Sequence, residues 1–150
     1  MTYDEWLELI KKLENSTNKE DVEKFNNEPI NNNINELLRP KIKVMILNRL
    51  YKTIDNLIDS LDDAFSSEED LDLYMVNFKK SINQTKELIN CNQLLHPDKT
   101  ELNFKLKAET NKTYDILATE ASKDRDDGVL ESIINRNRIK WSDENELPGS

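Results

Sequence analysis

The sequence predicts an all-α protein, a helical bundle of five to six helices with a long antiparallel helix pair at its heart. Three observations carry that expectation. Glycine occurs only at Gly128 and Gly149, and proline only at Pro29, Pro40, Pro97 and Pro148, so hairpins and tight turns have little material to form from. Apolar residues recur at steps of three and four along most of the chain, the spacing that gathers them on one face of a helix. Serine, threonine and asparagine stand where several of these runs begin, as helix caps do. At 150 residues the chain can bury roughly two thirds of the surface its unfolded form exposes. One domain is therefore expected over residues 1–141, followed by a loose tail over residues 142–150.

Thr2 and Glu5 have the spacing of a capping box, in which each side chain satisfies a free backbone donor of the other residue. A first helix over residues 3–14 follows, with Trp6, Leu9, Ile10 and Leu13 as its apolar stripe. Asn15-Ser16-Thr17-Asn18 supplies its stop and the next cap, and a short second helix covers residues 19–25. Ile30, Ile34, Leu37 and Leu38 predict a separate helical segment. Pro40 then suits the first turn of a long helix, where its missing N–H costs nothing. Val44, Leu47, Tyr51, Ile54, Ile58, Leu61 and Phe65 form the strongest periodic stripe in the chain, widened by Leu50 and Leu57.

Ser66 and Ser67 before Glu68, Glu69 and Asp70 read as a cap and an acidic first turn. The helix they open carries Leu71, Met75, Phe78, Ile82, Leu88 and Ile89 on or near one face. It is expected to lie antiparallel to its predecessor, the pair centring on residues 47–65 and 71–95. Pro97 is expected to stop it. A further helix over residues 100–122 presents Leu102, Leu106, Tyr114, Leu117 and Ala121. A last one begins near Gly128 and packs Val129, Leu130, Ile133 and Ile134 on the bundle, whereas residues 142–150 have no apolar periodicity.

The chemistry inventory narrows the function classes. Lys and Arg number 21 against 30 Asp and Glu, a net charge of -9, which repels a phosphate backbone, so direct nucleic-acid binding is not expected. No apolar run is long enough to cross a membrane. With Cys91 as the single cysteine, an intrachain disulfide and thiolate metal cages are excluded, and a reducing, cytoplasmic setting is expected. Cys91 itself reads as a small core residue. One histidine cannot form a two-histidine zinc motif, and two distant glycines cannot cradle phosphate. Carboxylates alone can hold magnesium, which leaves a carboxylate-metal enzyme open, but no spacing singles out a pair. Asp124-Arg125-Asp126-Asp127-Gly128 departs from a calcium loop, with its glycine one place early and Asn135 where the bidentate Glu belongs; it reads as a turn and helix cap. No cofactor, metal ligand or catalytic residue is expected, and the protein is expected not to be an enzyme.

Charge is unevenly distributed. Between Thr53 and Phe78 there is no Lys or Arg, while Asp55, Asp59, Asp62, Asp63, Glu68, Glu69, Asp70 and Asp72 are all acidic. In an antiparallel hairpin these residues gather at one end. Arg39, Lys41, Lys43, Arg49 and Lys52 precede them, so the long helix is basic first and acidic last, an order opposed to the helix dipole. The acidic end is a solvated face or a surface that steers toward a basic protein partner, in the manner of a helical inhibitor, immunity protein or adaptor that imitates phosphate charge.

A second candidate lies at Leu94-Leu95-His96-Pro97-Asp98-Lys99, followed by Thr113-Tyr114-Asp115-Ile116-Leu117. On local physics, His96 ends one helix, Pro97 prevents its continuation and Asp98 caps the next. The same residues resemble the J-domain co-chaperones, in which an HPD tripeptide joins two antiparallel helices and an Ala-Tyr-x-x-Leu-like element follows. The resemblance covers residues 88–117. It implies that His96, Pro97, Asp98 and Lys99 contact a DnaK-type chaperone and stimulate its ATP hydrolysis, and that a loop breaks the chain at residues 76–81. The function expected is thus protein–protein interaction, as a divergent J-like co-chaperone or, alternatively, as the acidic inhibitor or adaptor. Self-association as a homodimer is also expected, because so wide an apolar stripe leaves parts exposed for a second copy.

Overall fold

The computed structural model describes residues 1–15, 18–29, 33–125 and 127–144. Ser16 and Thr17 of the expected first stop, Ile30 of the expected separate segment, Asp126 and residues 145–150 of the expected tail lie outside them. Among the described residues the chain is all α, without a strand. Its order is α1 (Tyr3–Asn15), α2 (Lys19–Asn27), α3 (Asn35–Asp59), α4 (Leu61–Ala64), α5 (Glu68–Cys91), a 3-10 segment (Gln93–Asp98), α6 (Lys99–Asp124) and α7 (Val129–Glu144). No helix among these residues is long and apolar enough to cross a membrane. The chain divides into two compact units, one of Met1–Lys52 with Asn83–Phe104 and one of Thr53–Ile82 with Lys105–Ser150.

In the first unit α1 starts as its sequence dictates. Thr2 Oγ1 accepts from the Glu5 N–H at 3.2 Å, and Glu5 Oε1 accepts from the Thr2 N–H at 3.3 Å, so two otherwise free donors are satisfied reciprocally. The hydrogen bonds from Thr2 hold the Glu5 carboxyl below its usual range. Trp6, Leu9, Ile10 and Leu13 are all buried. Asn18 caps α2 by accepting from the Glu20 N–H at 2.9 Å, and Phe25, the one buried residue of α2, meets Trp6 edge to face at 6.2 Å.

The long helix differs from expectation in three respects. It starts before Pro40, with the Leu38 N–H bonded to the Ile34 carbonyl at 3.0 Å, so Pro40 lies inside α3 and removes one ladder bond. Burial of Leu38 and Ile42 on either side outweighs that loss. The helix also ends at Asp59. There the Ser60 hydroxyl donates back to the Asn56 carbonyl at 2.8 Å and the Ser60 N–H bonds to Leu57 at 3.0 Å, a tightening that closes the helix. Finally, the buried face of α3 in this unit is Leu38, Ile42, Met45, Ile46, Arg49 and Leu50, whereas Val44 and Tyr51 are exposed. The core face is rotated from the expected stripe because an arginine belongs to it. Arg49 is only 5 % exposed, donating from Nη1 to the Leu13 carbonyl at 2.6 Å and from Nε to Thr85 Oγ1 at 3.3 Å. Leu13 lies in the last turn of α1, where carbonyls lack intrahelical partners, so Arg49 caps α1 from α3.

Nor is Pro97 the stop of α5. That helix ends at Cys91, and Asn92 begins the 3-10 segment by accepting from the Leu94 N–H at 2.8 Å while donating to the Phe25 carbonyl at 3.1 Å. Cys91 is exposed, which corrects the expectation of a core residue: Leu88, Ile89 and Asn92 hold the buried positions around it. Asn90 and Asn103 join α5 to α6 through reciprocal amide bonds of 3.3 and 2.9 Å.

In the second unit Ser67 Oγ accepts from the Asp70 N–H at 3.0 Å, the cap expected for α5. Leu71, Met75, Phe78 and Ile82 are buried, and Phe78 on α5 shares a cleft with Leu57 on α3, as an antiparallel pair joined at residues 60–67 requires. Phe78, Tyr114 and Trp141 form the aromatic centre, with ring separations of 5.8 and 6.2 Å. Gly128 takes φ 74°, a left-handed conformation that glycine adopts without strain, and Asp127 caps α7 by accepting from the Val129 N–H at 3.1 Å. Helix α7 then continues through Ser142 to Glu144, where a tail is expected from sequence, because Trp141 is fully buried.

Candidate functional site

The acidic surface is built where α3, α4 and α5 succeed one another in the second unit. Ser60 ends α3 and Ser67 opens α5, so residues 55–70 are held by two capped helix ends and the four-residue α4 between them. Asp55, Asp59, Asp62, Asp63, Glu68, Glu69 and Asp70 are all exposed. None of these seven carboxylates has an ion-pair partner among the described residues. Asp72 is different. It is half-buried and accepts from Arg136 Nη2 at 3.2 Å and Asn137 Nδ2 at 3.3 Å, which ties α7 to α5 and makes it a packing residue.

Helix stability explains part of this surface. Glu68, Glu69 and Asp70 occupy the first turn of α5, where the dipole favours anions by about 0.3–1 kcal/mol each. Asp55 and Asp59 stand at the other pole, in the closing turns of α3, which has no base in its last turn, and the same field works against them. No three His, Cys, Asp or Glu side chains among the described residues converge on a position suited to a metal ion. What the arrangement offers is a set of hydrated, unneutralised acceptors whose summed field acts at range.

The second candidate belongs to the first unit and divides in two. His96 and Pro97 are exposed on the 3-10 segment, while Leu94 and Leu95 beside them are buried. Asp98 turns inward. Its carboxylate accepts from Arg39 Nε at 2.8 Å and Arg39 Nη2 at 3.4 Å, with Lys43 Nζ at 3.9 Å, and Lys43 also bonds Glu101 at 3.0 Å. The Arg39 hydrogen bond, reinforced by the charges of Arg39 and Lys43, holds the Asp98 carboxyl below the usual aspartate range against the opposing effect of burial. The same hydrogen bond pushes the Arg39 guanidinium up. Asp98 thus clamps the start of α6 to α3. Lys99 is half-buried as the first residue of α6. Helix α5 is unbroken over residues 76–81, where the J-domain resemblance implies a loop.

Sequence reasoning missed Arg49, Asn92 and Trp141. Each is a polar or isolated residue whose burial depends on a distant acceptor or ring, and no local periodicity announces it. Compared with known proteins, the chain matches no family model, no curated protein and no solved structure.

Proposed function

We propose that this protein acts by binding a basic protein surface through the carboxylates around the α3–α5 joint, without catalysing a reaction itself. The observation that carries this reading is the exposure of Asp55 and Asp59 without ion-pair partners among the described residues, towards the helix end where the dipole disfavours them. Residues that helix stability would replace need another reason to be there, and attraction of a cationic partner supplies one. Such attraction acts chiefly on the association rate and is screened by salt. The reading needs no disulfide and no cofactor, and a reducing compartment such as the cytoplasm suits a lone exposed Cys91.

The test compares capture of partners by the wild-type chain and by a variant carrying Asp62→Asn, Asp63→Asn, Glu68→Gln and Glu69→Gln, followed by binding kinetics with the purified partner. The wild type should associate at least tenfold faster at low salt than at physiological salt, and the variant should lose most of that dependence. Equal association rates for the two chains would refute the reading.

A second reading rests on the exposure of His96 and Pro97 in the six-residue segment joining α5 to α6. There the partner is a DnaK-type chaperone, and the protein stimulates its ATP hydrolysis as a J-like co-chaperone. The Asp98 carboxylate engaged by Arg39 and the continuity of α5 make this the weaker of the two. Stimulation of a DnaK-type ATPase that His96→Gln abolishes would establish it, and no stimulation by the wild type would remove it.

A further inference from the structure

Between the closing turns of α3 and the middle of α5 lies a small cleft, and every residue that lines it belongs to the second unit. Its volume is about 210 Å³, below the roughly 300–1,000 Å³ of sites that hold small molecules. It has room for one side chain. Leu57 and Phe78, 5 and 4 % exposed, line it together with the half-buried Tyr74, and these surfaces suit an apolar stem and a flat group. The polar lining is neutral. Asn56 and Asn77, one on each helix, are exposed, and neither side-chain amide has a hydrogen-bond partner among the described residues. The Ser60 hydroxyl donates its proton to the Asn56 carbonyl at 2.8 Å, which leaves its oxygen to accept.

Charge decides what such a cleft takes. Asp55 and Asp59 each stand one residue before a lining residue, Asn56 and Ser60, and both are exposed without an ion-pair partner among the described residues. On α5 the nearest bases, Lys79 and Lys80, lie at the end of the cleft away from the joint. A cation is therefore drawn in at the joint end and an anion repelled. Of the two long basic side chains, arginine fits this lining better. Its guanidinium is flat and weakly hydrated, stacks on an aromatic face and offers five donors to several acceptors at once, whereas an ammonium holds its water more strongly.

We infer that the cleft between α3 and α5 is an arginine pocket. A single arginine of the basic partner lays its stem against Leu57 and Phe78 and its guanidinium beside Tyr74, and donates to the side-chain oxygens of Asn56, Asn77 and Ser60. Asp55 and Asp59 supply the opposing charge. The inference rests on the acidic-joint reading and adds short-range recognition to it, where the carboxylates alone supply attraction at range.

Capped hexa-arginine and hexa-lysine peptides, equal in length and charge, are the probes, with their affinities for the full chain measured by calorimetry at physiological salt. The wild type should bind hexa-arginine about tenfold more tightly than hexa-lysine. Asn77→Ala and Tyr74→Leu, each with unchanged helical circular dichroism, should bring the two peptides within about threefold of one another. In amide NMR spectra of the labelled wild type, hexa-arginine should shift the side-chain signals of Asn56 and Asn77, and hexa-lysine should leave them in place. Equal affinities of the wild type for the two peptides, or a preference for arginine that survives both substitutions, would overturn the pocket and leave the acidic joint standing. Failure of both peptides to bind the wild type would remove the acidic joint, and the pocket with it.

Discussion

Replacing Arg49 by methionine should destabilise the protein by about 2–4 kcal/mol, although it removes a charge from the interior. Burial lowers the guanidinium pKa, so the cation is held at some cost, and exchange of buried ions for apolar residues is often neutral or stabilising. That outcome requires both partners to be replaced. Here the principal acceptor is the Leu13 carbonyl, 2.6 Å from Nη1, a backbone group that no substitution removes. A hydrogen bond from a charged donor contributes about 1.5–3 kcal/mol, and the longer bond to Thr85 at 3.3 Å adds about 0.5–1.5 kcal/mol. Relief of guanidinium desolvation offsets part of the sum. Methionine is unbranched and nearly as long, so it refills the space and no large cavity adds to the loss. With a urea m-value of about 2 kcal/mol/M, the midpoint should fall by about 1–2 M. For a chain of this size the melting temperature should fall by about 4–15 °C. Arg49→Lys, which keeps a cation for the carbonyl, should lose less. The measurement is urea unfolding followed by circular dichroism at neutral pH. A methionine variant as stable as the wild type would refute the reasoning, since it would mean that Leu13 needs no cap from α3.

Three further outcomes are expected. Trp141→Ala should cost about 3–5 kcal/mol, because Trp141 is fully buried and stacks obliquely on Tyr114 at 6.2 Å; thermal unfolding checks it, and a small loss would mean that the end of α7 does not close the second unit. The depressed Asp98 carboxyl contributes stability that is fully present above the usual aspartate value of about 3.9 and is lost as pH falls through its lower folded value. Urea midpoints measured from pH 6 downward should therefore drop for the wild type and drop less for Asp98→Asn; parallel curves would show that the clamp to Arg39 carries no such stability. Cys91, exposed at the end of α5, should react with one equivalent of a thiol reagent in the native state, and protection until unfolding would contradict its placement.

The local features of the fold are legible in the sequence. The reciprocal cap of Thr2 and Glu5, the Ser67 cap of α5 and the stripe Trp6, Leu9, Ile10, Leu13 involve partners within a turn or two, so spacing alone specifies them. The acidic residues from Asp55 to Asp70 are equally plain, because their exposure follows from charge and from the absence of a nearby base, whereas Asp72 is drawn into packing by Arg136, sixty-four residues away. Tertiary structure decided what depends on distant partners. Local physics reads Asp98 as a helix cap, whereas Arg39, fifty-nine residues away, makes it a clamp and leaves only His96 and Pro97 of the tripeptide facing outward. Most of all, the face that α3 buries was undetermined. Two apolar stripes fit the helical period almost equally well, and acceptors supplied by other helices, the Leu13 carbonyl and the Thr85 hydroxyl, hold Arg49 inward while Val44 and Tyr51 stay at the surface.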